Sequence, residues 1–278
     1  MLKRIARPFF MAALVAGLAF LIITVNSLTQ PEYDPTLNIA FIGTSESADC
    51  IVVWQKDFAM MIDTGEAQDK DAILSFLEAR KIKKLDYLVL SHPDKDHIGS
   101  ASAIVNAVSV VSAIEPLYQK KNKLNTSLYE TLESDGVKIV IPIRSMRFFS
   151  NNITLTVIPP MKKSYKDNND FSLAVYLQHG NVKMLFPGDA GDQRLSELML
   201  RTWDKPDLYK LPRHGAYSQN SLTFLGELRP VNTVVTAKSA SNRMTAEGDS
   251  VGTKWHYTVD NNLTFQSDGK TLSVTTAS

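Results

Sequence analysis

LVLSHPDKDHIGS, residues 88–100, sets two histidines and two aspartates within six positions directly behind an apolar run. The run reads as a buried strand, and the polar cluster is what that strand delivers. His92, Asp94, Asp96 and His97 stand at i, i+2, i+4 and i+5. On a loop leaving a strand, that spacing lets alternate side chains converge on one point while the last turns back. Imidazole nitrogen and carboxylate oxygen are ligands for Zn²⁺, Mn²⁺ or Fe²⁺. The plainer alternative is a solvated loop in which Asp96 caps the following segment. The two readings differ in whether the rest of the chain supplies partners.

Outward from the loop the chain alternates between strand and helix patterns. NIAFIGT, CIVVWQ and FAMMID are short, rich in Ile, Val and Phe, and separated by polar or turn residues, which predicts three strands. QDKDAILSFLEARKI carries Ile73, Leu74, Leu77 and Ile82 at helical spacing, with Asp69 and Asp71 near its start. DYLVLS is the strand that ends at the cluster. SASAIVNAVS and LNTSLYETLES predict helices, and VKIVIPI, ITLTVIPP, SLAVYLQH and VKMLFPGD predict strands. DQRLSELMLRTW predicts a helix opened by Asp192, and DLYKLPRHG, VNTVVTA, LTFQS and TLSVTT close the chain as strands. Several strands run in hairpin-like groups, which favours a mixed α/β layered domain over a purely parallel, doubly wound sheet. The turn-rich KKSYKDNND separates two strand groups inside one expected domain, residues 31–278.

The 278 residues are 44% hydrophobic and 21% charged, with a single cysteine, ordinary globular material. The first 30 differ: MLKRIARP is basic, and residues 9–25, FFMAALVAGLAFLIITV, carry no charge. That is the pattern of a secretory signal or a membrane anchor, somewhat short against the ~20 residues a spanning helix prefers. Export is expected, with retention on the membrane favoured over release. Without residues 1–30 the balance is 27 basic against 29 acidic side chains, a net of −2. A near-neutral body has no broad electrostatic hold on nucleic acid, so any grip on a polyanion must come from the site itself. Cys50 has no partner, which excludes an internal disulfide.

HPDKDHIG is similar to the HxHxDH signature of the metallo-β-lactamase superfamily, and more closely resembles the HPDxDHIGG form of ComEC-like DNA-internalisation proteins and their stand-alone relatives. In that form an aspartate takes the place of the second histidine, as Asp94 does here. The other motifs follow in order. MIDTG, residues 61–65, resembles the early Asp-x-Gly motif; NDFSLAVYL and MLFPGDA resemble the middle strand and the Gly-Asp motif; LPRHGAYSQNS resembles the HHG element; TVDNNLTFQSDGKTLSV resembles the closing strand pair. The resemblance covers roughly residues 38–274 and implies a four-layer αββα sandwich, two mixed sheets flanked by helices. It implies two divalent ions, Zn or Mn: one held by Asp96, His97 and His214, the other by His92 and Asp94, with Asp189 between them. Asp63 would orient a ligand histidine from behind. Each has a plainer rival, since Asp63 and Asp189 both precede turns, where Asp is common, and His214 could be an ordinary turn histidine.

Two positions depart from the family pattern. The superfamily's third histidine falls near Phe171, which cannot bind a metal, with Asn169, Asp170 and Ser172 as substitutes. The first metal position keeps an oxygen-rich set, which favours Mn²⁺ over Zn²⁺. Arg213 replaces the first histidine of HHG, and its guanidinium could grip a phosphate or pair with a surface acid. His179 is expected at the surface, and His256 is a candidate proton donor. Two ions ~4 Å apart generate a hydroxide at neutral pH and stabilise an in-line displacement. The expected function is therefore an exported metal-dependent hydrolase, a phosphodiesterase or nuclease acting on nucleic acid or nucleotide, with Asp96, Asp189 and Arg213 at the reaction centre. The alternatives are a binding or scaffold protein that keeps the fold, and a hydrolase of lactones, thioesters or lactams.

Overall fold

Strands β1 (Leu37–Phe41), β2 (Ile51–Gln55) and β3 (Phe58–Ile62) are almost wholly buried, and alternation decides which core each side chain enters. Leu37, Ile39, Phe41, Ile51, Val53, Met60 and Ile62 point into one apolar cluster. Ala40, Cys50, Val52 and Met61 point into another on the opposite face. A sheet covered on both faces needs apolar residues at both parities, so these strands read as nearly continuous apolar runs. The computed structural model describes residues 36–44, 47–118, 120–259 and 262–276.

The first sheet continues through β4 (Lys84–Val89), β5 (Ser109–Ile114) and β6 (Lys138–Val140). β7 (Met146–Ser150), β8 (Ile153–Ile158), β9 (Ala174–His179), β10 (Val182–Phe186), β11 (Leu208–Lys210), β12 (Asn232–Val235) and β13 (Lys254–Tyr257) make the second. β14 (Leu263–Ser267) and β15 (Leu272–Thr276) return to the first. The strand orders are β15-β14-β1-β2-β3-β4-β5-β6 and β13-β12-β11-β10-β9-β8-β7. β3 to β6 pair in parallel, as do β10 to β13, while the remaining pairs are antiparallel. Both sheets are therefore mixed.

Inner faces of the two sheets share one core, in which Phe41 meets Phe186 and Phe265 at ring-centroid distances of 6.1 Å. Helices α1 (Lys70–Ala79), α2 (Lys95–Ile98), α3 (Ala101–Ala107) and α4 (Lys123–Ser134) belong to the first half of the chain. α1, α3 and α4 cover the outer face of the first sheet through Ile73, Leu77, Ile104, Leu128 and Leu132. Helices α5 (Asp192–Met199), α6 (Gln219–Leu228) and α7 (Asn242–Val251) cover the second sheet through Leu195, Phe224, Leu225 and Met244. The layers run α-β-β-α, the expected sandwich.

α2, β5, β7, α6, α7 and β13 add to the expected elements. DLYKLPRHG is strand only as far as Lys210; residues 212–215 form a tight turn in which Arg213 and His214 take φ of 50° and 51°. The apolar segment at residues 9–25 lies outside the described residues, and among those described no helix is long and apolar enough to cross a membrane.

Candidate metal centre

The carboxyl ends of β3, β4, β10, β11 and β12 gather at one end of the sandwich, the place where open α/β sheets present their ligand crevices. β3 ends at Asp63, whose φ of 57° is in the left-handed region. Its backbone N–H donates to the Val89 carbonyl at 2.8 Å, fixing it beside β4. The HPDKDH loop then folds back, with the Asp94 carbonyl accepting from the N–H of His97 and of Ile98, both at 3.0 Å. Gly99 makes that fold possible, because a Cβ there would lie 2.5 Å from both the Ala67 nitrogen and the Lys95 carbonyl oxygen. Left-handed φ at Asp63, Arg213 and His214 stores about 1–3 kcal/mol each, which the surrounding hydrogen bonds must offset.

His97 is fully buried, and its two nitrogens face different tasks. Nδ1 donates to Asp63 Oδ2 at 2.8 Å. Asp63 is itself held by the Ser91 N–H and hydroxyl, each at 2.6 Å. Nε2 lies 3.4 Å from Asp189 Oδ2 and 3.5 Å from Asp96 Oδ2 but is aligned with neither, so it has no hydrogen-bond partner. His214 Nε2 stands 3.1 Å from Asp189 Oδ2 and 3.2 Å from Asp96 Oδ2. Its Nδ1 is 2.9 Å from the Thr236 hydroxyl, which spends its own proton on Asp49 Oδ1 at 2.7 Å. His214 Nδ1 is thus the donor to Thr236. Both backing bonds aim an Nε2 at the same pair of carboxylates.

Asp189 divides its oxygens in the same way. Oδ1 accepts from the buried Lys210 ammonium at 2.9 Å and from the Arg213 N–H at 3.1 Å, leaving Oδ2 for the two histidines. Lys210 also contacts Asp49 Oδ2 at 2.5 Å and the Gly188 carbonyl at 3.0 Å. Gly188 has φ 58°, and a Cβ on it would meet Ser91 Cβ at 2.8 Å, so only glycine lets the two sheets close here.

Charge accounts for the protonation pattern. Burial alone would push the Asp189 and Asp49 carboxyls up, but the Lys210 ammonium and the nearby imidazoles outweigh it and hold both below the usual carboxylate range. Burial would likewise raise Asp96, yet its hydrogen bond with His214 and the charge of the nearby His97 bring it down. Burial would depress both imidazoles; instead Asp189 and Asp63 raise His97 well above its ordinary value, and Asp189 and Asp49 push His214 up to about 10. His92 goes the other way. Burial, then the neighbouring His97, lowers it to about 4, so it is neutral at physiological pH.

Ligand atoms of Asp96, His97, Asp189 and His214 all lie within 4.8 Å of one another. Two carboxylates face two imidazoles, one of which keeps a buried nitrogen without a partner; this donor set fits a divalent cation. Asp49, Asp63 and His97 form a second close group, but there His97 Nδ1 is committed to Asp63 and the Lys210 ammonium already neutralises Asp49. That layer holds the ligands in place. Four of the six expected ligands therefore converge. His92 and Asp94 fall outside the four-residue group: His92 Nε2 is 3.9 Å from Asp94 Oδ2, and Asp94 Oδ1 takes the Lys120 ammonium at 2.8 Å.

Arg213 lies at the rim, its side chain 39% exposed, with Nη1 3.6 Å from Asp167 Oδ2. Phe171 packs between Tyr118 and Tyr165, and Ser172 Oγ is buried without a partner. Asp170 accepts from the Arg194 N–H at 2.9 Å. His179 corrects the surface expectation: it is fully buried, with Nδ1 2.8 Å from Ser267 Oγ and Nε2 2.6 Å from the Asn152 side chain. His256, on β13, bonds the Asn232 side chain at 3.0 Å, and among the described residues it does not touch the cluster. Asp49, Lys210 and Thr236 are the residues that the motif reading missed.

Residues 43–230 match the sequence profile of the metallo-beta-lactamase superfamily, more than half of the chain. Over 168 residues the chain is 24% identical to ComE operon protein 3 of Bacillus subtilis (strain 168), a match covering 59% of this chain and 21% of that protein. Over 218 residues it is 25% identical to Recombination protein 2 of Haemophilus influenzae (strain ATCC 51907 / DSM 11121 / KW20 / Rd), covering 77% of this chain and 25% of that one. The match spans a quarter or less of the length of these relatives. Among solved structures, the metallo-beta-lactamase fold protein YhfI of Bacillus subtilis superposes with a TM-score of 0.55 at 12% identity, covering 84% of this chain and all of that one. CmlA, a diiron beta-hydroxylase from Streptomyces venezuelae, does so with a TM-score of 0.53 at 11% identity, over 84% and 54%; at such identities the likeness is one of fold. With this profile match, these relatives and the αββα layers, the chain belongs to the metallo-β-lactamase superfamily, alongside the ComEC-like competence proteins.

Proposed function

We propose that the chain is a metal-dependent hydrolase of phosphodiesters, acting outside the cytoplasm and held at the membrane by the segment at residues 9–25. The observation that carries the reading is the convergence of Asp96, His97, Asp189 and His214 around a partnerless buried His97 Nε2. Those four would hold a divalent ion, Zn or Mn; His92 and Asp94 would hold a second, weaker one. Such an ion supplies a Lewis acid and lowers the pKa of water.

The chain's own residues do the rest. Asp63 and Thr236 fix the histidine tautomers so that both Nε2 atoms face inward. Lys210 holds Asp189 Oδ1, which keeps Oδ2 aimed at the cluster. The Arg213 guanidinium at the rim is placed to draw in and orient an anionic phosphate. A phosphodiester is favoured over an acyl substrate by that guanidinium and by Lys120, a second cation beside the cluster. A relative with recombination in its name supports a nucleic-acid substrate. The basic start and uncharged run of residues 1–25 support an extracytoplasmic location.

The test uses the full chain, stripped of metal and reloaded with Mn²⁺ or Zn²⁺, on bis(p-nitrophenyl) phosphate and single-stranded DNA, with Asp96→Asn as control. Metal-dependent cleavage that the variant loses is the expected result. No cleavage with either ion would remove the phosphodiester reading and bring lactone and thioester substrates forward; inertness there too would favour a binding protein.

A further inference from the structure

Two short stretches beside the site share an unusual composition. LYQKKNK, residues 117–123, and MKKSYKD, residues 161–167, hold six lysines and one acid, Asp167, and each carries one tyrosine. The remainder of residues 31–278 has 21 basic against 28 acidic side chains, so the lysines stand out against an acidic body. The first stretch follows β5 and the second follows β8, and they meet at Phe171. Tyr118 stacks on Phe171 at 4.1 Å with 14° between the rings, and Tyr165 meets the same ring edge-on at 5.0 Å.

Both stretches reach the edge of the candidate site. Lys120 donates to Asp94 at 2.8 Å, and Asp167 faces Arg213 at 3.6 Å. Asn125, just past the first stretch, donates to the Pro93 carbonyl at 3.2 Å. Lys121, Lys123, Lys163 and Lys166 are exposed, and among the described residues none of them has a carboxylate partner. Lys162 bonds Gln193 at 3.0 Å, with its ammonium 5.8 Å from the Tyr165 ring centroid.

We propose that these two lysine–tyrosine loops form a track for single-stranded nucleic acid that leads into the cluster, so that the substrate is a polymer and not a mononucleotide. The inference rests on the phosphodiester reading and deepens it. Lys120 and Arg213, next to the cluster, suffice for one phosphate. Four further ammonium groups without carboxylate partners would let phosphates continue along a strand, and aromatic faces interleaved with cations are how single strands are held without sequence preference.

Binding is measured on the full chain in non-ionic detergent with EDTA, which separates binding from turnover, using fluorescent dT20 and dT2 between 50 and 200 mM salt. The comparison is with the triple variant Lys121→Glu, Lys163→Glu, Lys166→Glu, its folding checked by Tm. The chain is expected to bind dT20 at least tenfold tighter than dT2. In the variant dT20 affinity should fall at least tenfold, and the slope of log affinity against log salt should lessen by about 2, some 0.7 per lysine removed. Equal dT20 affinity in variant and parent would overturn the proposal. So would lysine-dependent binding to phosphatidylglycerol vesicles without lysine-dependent dT20 binding, which would assign the loops to a lipid surface. Absence of catalytic turnover would bear on the hydrolase reading alone, since binding is read without metal.

Discussion

Asp96 and His97 sit within a few residues of His92 and Asp94 on one loop, yet the two pairs meet different surroundings. Across from Asp96 and His97 the second sheet supplies Asp189 and His214, backed by Asp49, Lys210 and Thr236 through bonds of 2.5 to 2.9 Å. Beside Asp94 stands the Tyr118–Lys120 loop, whose Tyr118 stacks on Phe171 of the second half, next to a buried Ser172 hydroxyl without a partner. Lys120 occupies an oxygen of Asp94, and burial leaves His92 neutral. The loop offers candidate ligands to both sides; the opposite sheet decides on which side they converge with others.

The comparison is tested hardest by unequal histidine losses. His97→Ala removes a ligand from the strong half and should lower turnover by about three orders of magnitude, the size of several kcal/mol of lost charge stabilisation. Elemental analysis of the purified variant should show at least one fewer ion per chain. Equal losses in His97→Ala and His92→Ala would break the distinction between the halves. Lys210→Met addresses what backs the strong half. It leaves Asp49 and Asp189 buried without their shared ammonium, and about 3–5 kcal/mol of stability should go with it. Because a bound cation offsets one of those charges, the loss of Tm should be larger in EDTA than with metal present. A Tm that shifts equally in both conditions would mean that Lys210 serves the fold and not the site.

The weak half should respond less. His92→Ala is expected to cost about tenfold in turnover, about 1.4 kcal/mol of barrier, and to leave any ion held by Asp96, His97, Asp189 and His214 in place. A loss as large as that of His97→Ala, with an ion released, would show two equal sites.

The difference between the halves was only partly legible in the sequence. His92 to His97, Asp189 and His214 stand out because polar residues end apolar runs there, and such interruptions survive in one dimension. Asp49 and Lys210 do not stand out. Lys210 sits in β11 with apolar neighbours on either side, where alternation reads as a side chain turned to water; β11 lies inside a sheet covered on both faces, so that side chain is buried too. His179 is hidden in a related way: a position before a glycine turn looks exposed until Ser267 from the other sheet closes over it. α6 had a signal that the motif reading passed over: Ser218 caps it by accepting from the Ser221 N–H, and Leu222, Leu225 and Leu228 follow at helical spacing. α7 is harder, with Gly248 inside it and few apolar residues; a Cβ at Gly248 would lie 2.1 Å from the Trp255 ring, a packing reason visible only in three dimensions.

Arg213 gives the smallest effect and the finest cut between the halves, because its backbone and its side chain serve different ends. The backbone N–H supports Asp189 in the strong half at 3.1 Å, while the guanidinium reaches out to Asp167 at the rim. Arg213→Ala keeps the N–H and the left-handed φ, so it removes the guanidinium alone. An exposed charge of this kind contributes about 1 kcal/mol at most, which predicts a rise in KM for bis(p-nitrophenyl) phosphate of about fivefold with little change in kcat. Arg213→Lys should restore only part of it, since an ammonium lacks the planar fork that matches two phosphate oxygens. A fall in kcat equal to the fall in kcat/KM would instead place the guanidinium on the transition state, and the rim would then belong to the strong half rather than to substrate capture.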